Sequence, residues 1–362
     1  MSYETVGIIG AGAWGTALAI NIARGGKPVV LWSFDGEYKH FDGVDTPKNL
    51  TVVTEPGKLV NADVWLDVTP AAFFGETLQK FTQYYHNQPI IICTKGADAK
   101  THHFMSEILQ QKLPECIDFG VLSGPQFAAE VACGIPTGST LAGTPNTLCA
   151  GRAVLNLAYL DETDDIIGTQ ISGVGKNVVA LISGFISVKV PGENERAMIF
   201  TRCCNEIIKI GLAMGAKLET FVGLCGLGDL FLSATSTTSR NYAGGVAIAN
   251  NQPLSGTVEG IFAFDTVLTR ATELGIETPV LKSINAQIQI DKILGKQNDV
   301  KHAKTQKNVP FVPKLFAKPT QHKSRPEQML LRAQHDGNIS KFEQHISGIR
   351  SFVFQRKKPY GK

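Results

Sequence analysis

The chain has 362 residues, 43% of them apolar, and a formal net charge of +3. That is long enough for two domains and apolar enough to bury a sizeable core, and no repeat or low-complexity tract interrupts it. The charge is unevenly spread. Lys296–Lys362 hold fifteen of the 35 basic and four of the 32 acidic residues, a balance of +11, which leaves −8 on the remainder.

The seven cysteines include no C-x-x-C pair and no His-flanked metal spacing, so neither a disulfide framework nor a metal site is expected. A strand pattern begins almost at Met1, leaving no room for a secretory leader, and no uncharged apolar run is long enough to span a bilayer. These features lead us to expect a cytoplasmic protein.

The elements follow in chain order. "TVGIIG" (Thr5–Gly10) reads as a strand and "TALAINIARGG" (Thr16–Gly26) as a helix stopped by two glycines. Further strands are expected in "PVVLWSF", "ADVWLDV", "PIIICTKG" and "DFGVLSG", with a helix over Thr101–Leu113. Apolar strands alternating with helices imply an α/β fold with a parallel sheet covered on both faces. Near Asp165 the pattern turns mostly α-helical, with helices expected in "NERAMIFTRCCNEIIKIGLAMG", "TVEGIFAFDTVLTRATELG" and "PVLKSINAQIQIDKILG". We therefore divide the chain into a dinucleotide-binding sheet domain (1–165), a helical substrate domain (166–296) and a basic extension (297–362). The extension is basic and proline-broken, with at most a helical turn at Met329–Ala333. No nucleic-acid motif accompanies its charge, so it reads as a solvated tail.

The segment Gly10-Ala11-Gly12-Ala13-Trp14-Gly15 matches G-x-G-x-x-G, and it directly follows a strand and opens a helix. In that context the first glycine allows a tight turn. The second lets the backbone approach a pyrophosphate, and the third brings helix and strand together. The pattern indicates a Rossmann-type, doubly wound sheet that binds NAD or NADP. The second strand ends "LWSFDGE", with neither a clear acid nor an arginine at its tip, Asp35 standing one step past Phe34; the missing arginine favours NAD. Phe34 at its tip is placed to stack on adenine, or simply to pack against the sheet edge.

Four further features carry chemistry. Lys95 stands at the carboxyl end of a strand, where open α/β sheets bind ligands. "SGPQFAAEVA" turns from strand to helix through Gly124-Pro125 and offers backbone amides. Lys176 sits in "GVGKNVVALISG", an apolar run with no polar face to receive an amine. "GLGDLFLSATSTTSRN" brings Asp229, a hydroxyl-rich bend and Ser239-Arg240-Asn241. A buried lysine beside a second cation has a lowered pKa and can give a proton to the oxygen of a ketone under reduction. Arg240 is suited to a bidentate grip on phosphate. Read singly, Asp229 is nearly as well explained as a helix N-cap and Arg240 as a surface ion pair.

Together "GAGAWGTALA", "LW", "CTKG", "SGPQFAAEVA", "GVGKNVVA", "GLGDL", "SRN" and "VEG" resemble the NAD(P)-dependent glycerol-3-phosphate dehydrogenase family, in its order, from residue 5 to about residue 295. The resemblance implies interconversion of dihydroxyacetone phosphate and sn-glycerol 3-phosphate, a reaction that feeds glycerophospholipid synthesis, and it implies a homodimer. It makes Lys176 the general acid and base and has Lys95 touch both substrate and cofactor. Asp229 would hold Lys176 and the substrate. Ser239, Arg240 and Asn241 would bind the substrate, with Arg240 on its phosphate. Ala13, Trp14, Gly124, Ala128 and Glu259 would line the cofactor site, Gly124 and Arg240 standing where the two ligands meet. The link after the second strand, "DGEYKHFDGVDTPKNL", is shorter than the family's. Two other readings stay open at this point: a related hydroxyacid or hydroxyacyl dehydrogenase, and a non-catalytic dinucleotide-binding paralogue.

Overall fold

The computed structural model describes residues 3–298. Eight strands form one sheet: β1 (Val6–Ile9), β2 (Val29–Trp32), β3 (Leu50–Val53), β4 (Val64–Asp67), β5 (Ile90–Ile92), β6 (Phe119–Ser123), β7 (Gly138–Gly143) and β8 (Tyr159–Thr163). Their order across the sheet is β3-β2-β1-β4-β5-β6-β7-β8. The chain runs outward from β1 in one direction, then returns to add β4 and the rest on its other side. That reversal creates a crevice between β1 and β4 at the carboxyl ends of the strands.

Strands β3 to β6 are mutually parallel, as alternation of strands and helices predicts. The pairing of β6 with β7 is antiparallel, and β8 runs parallel to β7, so the sheet is not wholly parallel. Side chains alternate between two cores. Val6, Ile8, Leu31, Leu66 and Ile91 enter one, and Ile9, Trp32, Trp65, Ile90 and Ile92 the other. Helices α1 (Ala13–Arg24), α2 (Phe74–Gln79), α3 (Met105–Lys112), α4 (Ala128–Ala132) and α5 (Pro145–Val154) accompany the sheet.

Helix α1 starts at Ala13, three residues before the expected Thr16. Helix α3 starts at Met105, four residues after the expected Thr101. Asp98 accounts for the second shift. Its carboxylate accepts from the backbone N–H groups of Lys100 and Thr101, folding these residues into a turn, and His102 follows at φ 58°. The short link after β2 leads straight into edge strand β3.

From Ile166 onward the structure is helical: α6 (Ile166–Lys189), α7 (Glu193–Ala213), α8 (Leu218–Val222), α9 (Asp229–Thr235), α10 (Arg240–Ala249), α11 (Glu259–Glu273) and α12 (Pro279–Asn298). Asp165 caps α6, accepting from Gly168 N at 2.7 Å, and its other oxygen accepts from Lys217 N and Thr220 Oγ1. Helix α6 is long and apolar enough to cross a membrane by composition. It is instead the buried axis of a helical cluster, with α7, α9, α10 and α11 packed on it. Two glycines set one of these contacts. A Cβ on Gly184 of α6 would collide with Tyr242 O, and one on Gly245 of α10 would collide with Leu181 O. Helix α12 runs on to Asn298; the rest of the basic extension, including Met329–Ala333, lies outside the described residues.

Candidate active site

The glycine loop is built for an anion. Gly10 holds φ 108°, a conformation that favours glycine. A Cβ on Gly15 would strike the Gly10 carbonyl, so α1 packs against the strand end only without one. A Cβ on Gly12 would meet nothing within 4 Å. Gly12 also caps α1 with no side-chain partner, which leaves the first N–H groups of the helix open to a ligand. Ala13 is exposed beside it, while Trp14 packs inward against the sheet core and α4. A groove of about 660 Å³ runs from Gly10–Gly12 past the tip of β2, bordered by Phe34, Val68, Pro70 and Phe73. Phe34 is 76% exposed there. These residues fit a dinucleotide: a bare anion cradle at one end and exposed aromatic rings at the other.

The same edge of the sheet carries the lysines. Gly10, Val68, Lys95 and Gly124 all stand just past the carboxyl ends of parallel strands β1, β4, β5 and β6. Lys95 donates to Gly124 O at 2.8 Å and to Asp229 Oδ2 at 2.7 Å. Lys176, from the middle of α6, donates to Asp229 Oδ1 at 3.1 Å and to Ser233 Oγ at 2.9 Å. Asp229 therefore bridges two ammonium groups with its two oxygens. It is the first residue of α9, directly after one π-helical turn over Leu224–Gly228. Its side chain turns into the site instead of capping the helix.

Burial sets the charges. The Asp229 side chain is 1% exposed, and those of Lys176 and Lys95 are 13% and 18% exposed. Burial alone pushes the Asp229 carboxyl up, but Lys176 and Lys95 outweigh it and hold the group below its ordinary value. For Lys176 burial is the largest influence and lowers the ammonium pKa; Asp229 opposes this, and Lys95 adds to it. The result is a fixed carboxylate beside an amine whose proton is loosened.

A second network holds the surrounding helices. Asn177, next to Lys176, donates to Glu259 Oε2 at 3.2 Å and accepts from Asn241 Nδ2 at 2.8 Å. Asn241 Oδ1 accepts from Gly260 N at 2.9 Å. The starts of α10 and α11 are thereby tied to α6. Ser239 caps α10, its hydroxyl accepting from Tyr242 N. Arg240 is exposed and makes no hydrogen bond or ion pair among the described residues, which leaves its guanidinium available to an anion. Ala128 opens α4 and packs beside Ala17 and Val131.

The structure thus brings Lys95, Gly124, Lys176 and Asp229 into hydrogen-bonded contact. It joins Asn241 and Glu259 through Asn177, and sets Gly10, Gly12 and Phe34 around the groove. Ser233 and Asn177 were not foreseen as site residues. Ser233 stands one turn beyond Asp229 on α9, a spacing that puts both side chains on one face. Asn177 has no comparable local signal; its partners lie 64 and 82 residues away.

The chain matches two family models, described as the N-terminus (residues 5–149) and the C-terminus (residues 165–301) of NAD-dependent glycerol-3-phosphate dehydrogenase. It is 34% identical over 309 residues to a glycerol-3-phosphate dehydrogenase [NAD(P)+] of Parvibaculum lavamentivorans, covering 78% of this chain and 92% of that one. A protein of the same name from Caulobacter vibrioides is 34% identical over 310 residues, covering 79% and 93%. Among solved structures, glycerol-3-phosphate dehydrogenase of Coxiella burnetii superposes with TM-score 0.72 at 27% identity, covering 83% of this chain and 99% of that one.

Proposed function

The chain belongs to the NAD-dependent glycerol-3-phosphate dehydrogenase family, and on that premise we propose that it interconverts dihydroxyacetone phosphate and sn-glycerol 3-phosphate with Lys176 as general acid and base. The observation that carries this reading is the single buried carboxylate of Asp229 shared by the Lys176 and Lys95 amines. When bound, the nicotinamide dinucleotide supplies or accepts the hydride.

The chain's own residues handle the proton and the phosphate. In ketone reduction the substrate oxygen gains negative charge, and Lys176 Nζ delivers a proton to it. In the reverse direction the neutral amine takes that proton back. Burial lowers its pKa, which loosens the proton that the amine must give up and take back. Asp229 fixes Lys176 and Lys95 in place. One carboxylate against two ammonium groups leaves the cluster a single positive charge, which favours an anionic substrate over a neutral one. Lys95 steadies the developing oxyanion from the β5 side, and Arg240, unpaired among the described residues, grips the phosphate at the start of α10. Ser239 and Asn241 set the orientation of α10, and Asn241 acts mainly through its bonds to Asn177 and Gly260.

In this reading residues 1–165 bind the dinucleotide through Gly10, Gly12, Ala13, Trp14, Gly15, Phe34, Lys95, Gly124 and Ala128, and Arg240 and Glu259 of the helical domain complete the cofactor site. Residues 166–296 supply the acid and the substrate grip. In this reading the product feeds glycerophospholipid synthesis in the cytoplasm. Exposed Val222, Leu227 and Phe231 around the π-helical turn support a homodimer.

The test follows the loss of reduced-cofactor absorbance on adding dihydroxyacetone phosphate, with NADH and NADPH in turn. Turnover with this ketone but not with its dephosphorylated form supports the reading. Dinucleotide binding without turnover would overturn it.

A further inference from the structure

Lys95 belongs to the sheet domain and Asp229 to the helices, so their 2.7 Å contact depends on how the two domains meet. The segment after Lys95 crosses between them. Gly96 holds φ 148°, and Ala97 then forms an antiparallel bridge with Phe104. Phe104 is 2% exposed and joins the helical core, whereas Met105, Ile108 and Leu109, which follow it in α3, enter the core of the sheet. Two side-chain links stand beside Phe104. Gln170 of α6 accepts from Ser106 N at 3.0 Å and donates to Ser106 Oγ at 2.8 Å. Arg270 of α11 donates to Glu107 Oε2, and the same oxygen accepts from Phe104 N at 2.6 Å. The Arg270 guanidinium also lies 5.5 Å from the centroid of the Phe104 ring. Its side chain is 16% exposed, so salt screens this pair less than one at the surface. Helices α6 and α11 are the ones that carry Lys176 and Glu259.

Resting on the catalytic reading above, we propose that Arg270 is a positioning residue: through Glu107 and Phe104 it holds the segment after Lys95 against the helices, and so sets the Lys95 amine beside Asp229 and Lys176. Gly96 gives that segment no stiffness of its own, so the hold must come from the far side of the turn. The three charged groups arrive from three separate elements, and a misplacement of about 1 Å in such a set costs up to about 10²-fold in rate. Loss of the hold has a definite electrostatic sign. The charged groups acting on the Lys176 amine are Asp229 of α9, Lys95 after β5 and Glu259 of α11. Asp229 and Glu259 favour the ammonium, while Lys95 and burial oppose it. If Lys95 withdraws, Asp229 is left to Lys176 alone and the ammonium keeps its proton to higher pH. That is the reverse of what removing Asp229 does.

The test compares the full chain with Arg270→Met, which keeps the apolar stem, and with Arg270→Lys, which keeps a charge for Glu107. NMR titration of the lysine side chains reads the Lys176 amine without needing turnover, its signal identified by loss in Lys176→Ala. Kinetics and NADH titration use the same preparations. In Arg270→Met we expect Lys176 to titrate at higher pH and kcat to fall by about 10–100-fold. NADH affinity should change far less, and Arg270→Lys should recover most of the kcat. Glu107→Gln keeps an acceptor for Phe104 N, so it should fold where Arg270→Met does not, and it should show the same two changes in smaller measure. Near-normal kcat with an unmoved Lys176 titration in either variant would overturn the proposal. So would a loss of kcat without any shift of Lys176, or one matched by an equal loss of NADH affinity, since either points to general loosening of the fold. Absence of dihydroxyacetone phosphate turnover in the unaltered chain would instead remove the proposed function, and the Lys176 titration would still decide whether Arg270 places Lys95.

Discussion

Lys176 donates to Asp229 at 3.1 Å from inside a helix whose neighbouring residues, Val178 to Ile182, are all buried and apolar. Removing one partner of such a pair leaves an uncompensated charge out of water, at a cost of about 3–5 kcal/mol. Asp229→Asn should therefore lower stability. It should also move a pH profile. Asp229, with a smaller contribution from Glu259, raises the Lys176 pKa against burial and Lys95. Without it the ammonium loses its proton at lower pH. Ketone reduction needs that proton, so the alkaline fall in kcat/KM should shift to lower pH in the variant. A fall at the same pH as in the unaltered chain would show that Asp229 does not govern the lysine.

Lys176→Ala should behave differently. It removes the buried charge together with its stem, so the fold survives with Asp229 still paired to Lys95 at 2.7 Å. NADH affinity should be unchanged, while turnover falls by roughly 10²–10⁴, the range supplied by a positioned acid or base. Lys176→Arg should not restore it, because a guanidinium keeps its proton throughout the working pH range. Binding titration and steady-state kinetics on the same preparations separate the two effects. Near-normal turnover in either variant would reject the general-acid assignment.

Sequence and structure part company along physical lines. The glycine loop and Lys176 were legible because each breaks a local rule: three glycines between a strand and a helix, and one amine without a polar face. Strands β1, β2, β4, β5 and β6 were legible as short β-branched runs buried on both faces. Strands β3, β7 and β8 were not. The sequence of β8, "YLDET", is half-exposed, and that of β7, "GSTLAG", is mostly small residues, so neither shows the apolar run of an inner strand. Reversal of β7 depends on the turn through α4, which no strand pattern encodes. Ser233 and Asn177 owe their places to contacts across 57 to 82 residues, which appear only once the helices pack.

The α6–α10 contact links stability to the substrate grip. Gly245 lies against Leu181 O and Phe185 N of α6 with no room for a Cβ. The obstacle is backbone, which cannot rotate away as a side-chain tip can. Gly245→Ala should cost about 1–3 kcal/mol from overpacking, less the gain of up to about 1 kcal/mol in helix propensity. Helix α10 also carries Ser239, Arg240 and Asn241 at its start. Pushing it off α6 should raise KM for dihydroxyacetone phosphate by more than it weakens NADH binding, because most of the dinucleotide's residues lie in the groove at β1 and β2 and only Arg240 and Glu259 reach it from the helices. Unfolding by denaturant and paired KM and Kd measurements check both parts. A stable variant with unchanged KM would show that the contact tolerates the extra methyl.

A buried carboxyl outside the proposed chemistry sets the pH response of the fold. Asp67 ends β4, wholly buried between Ile9 of β1 and Ile92 of β5. Its Oδ1 accepts from Thr69 N at 2.9 Å, but Oδ2 has no hydrogen-bond partner. Burial raises its pKa from 3.8 to about 7, the Thr69 bond opposing only in part. The unfolded chain therefore ionises this group first as pH rises. Stability should decline between about pH 4 and pH 7 and level off above, by up to about 4 kcal/mol for a shift of roughly three units. Asp67→Asn removes the titration while keeping the size and the acceptor for Thr69. Its stability relative to the unaltered chain should grow through that window and be greatest at pH 8. Denaturant melts of both chains at pH 5 and pH 8 measure the difference directly, and an equal gap at the two values would mean that Asp67 stays ionised in the folded state throughout.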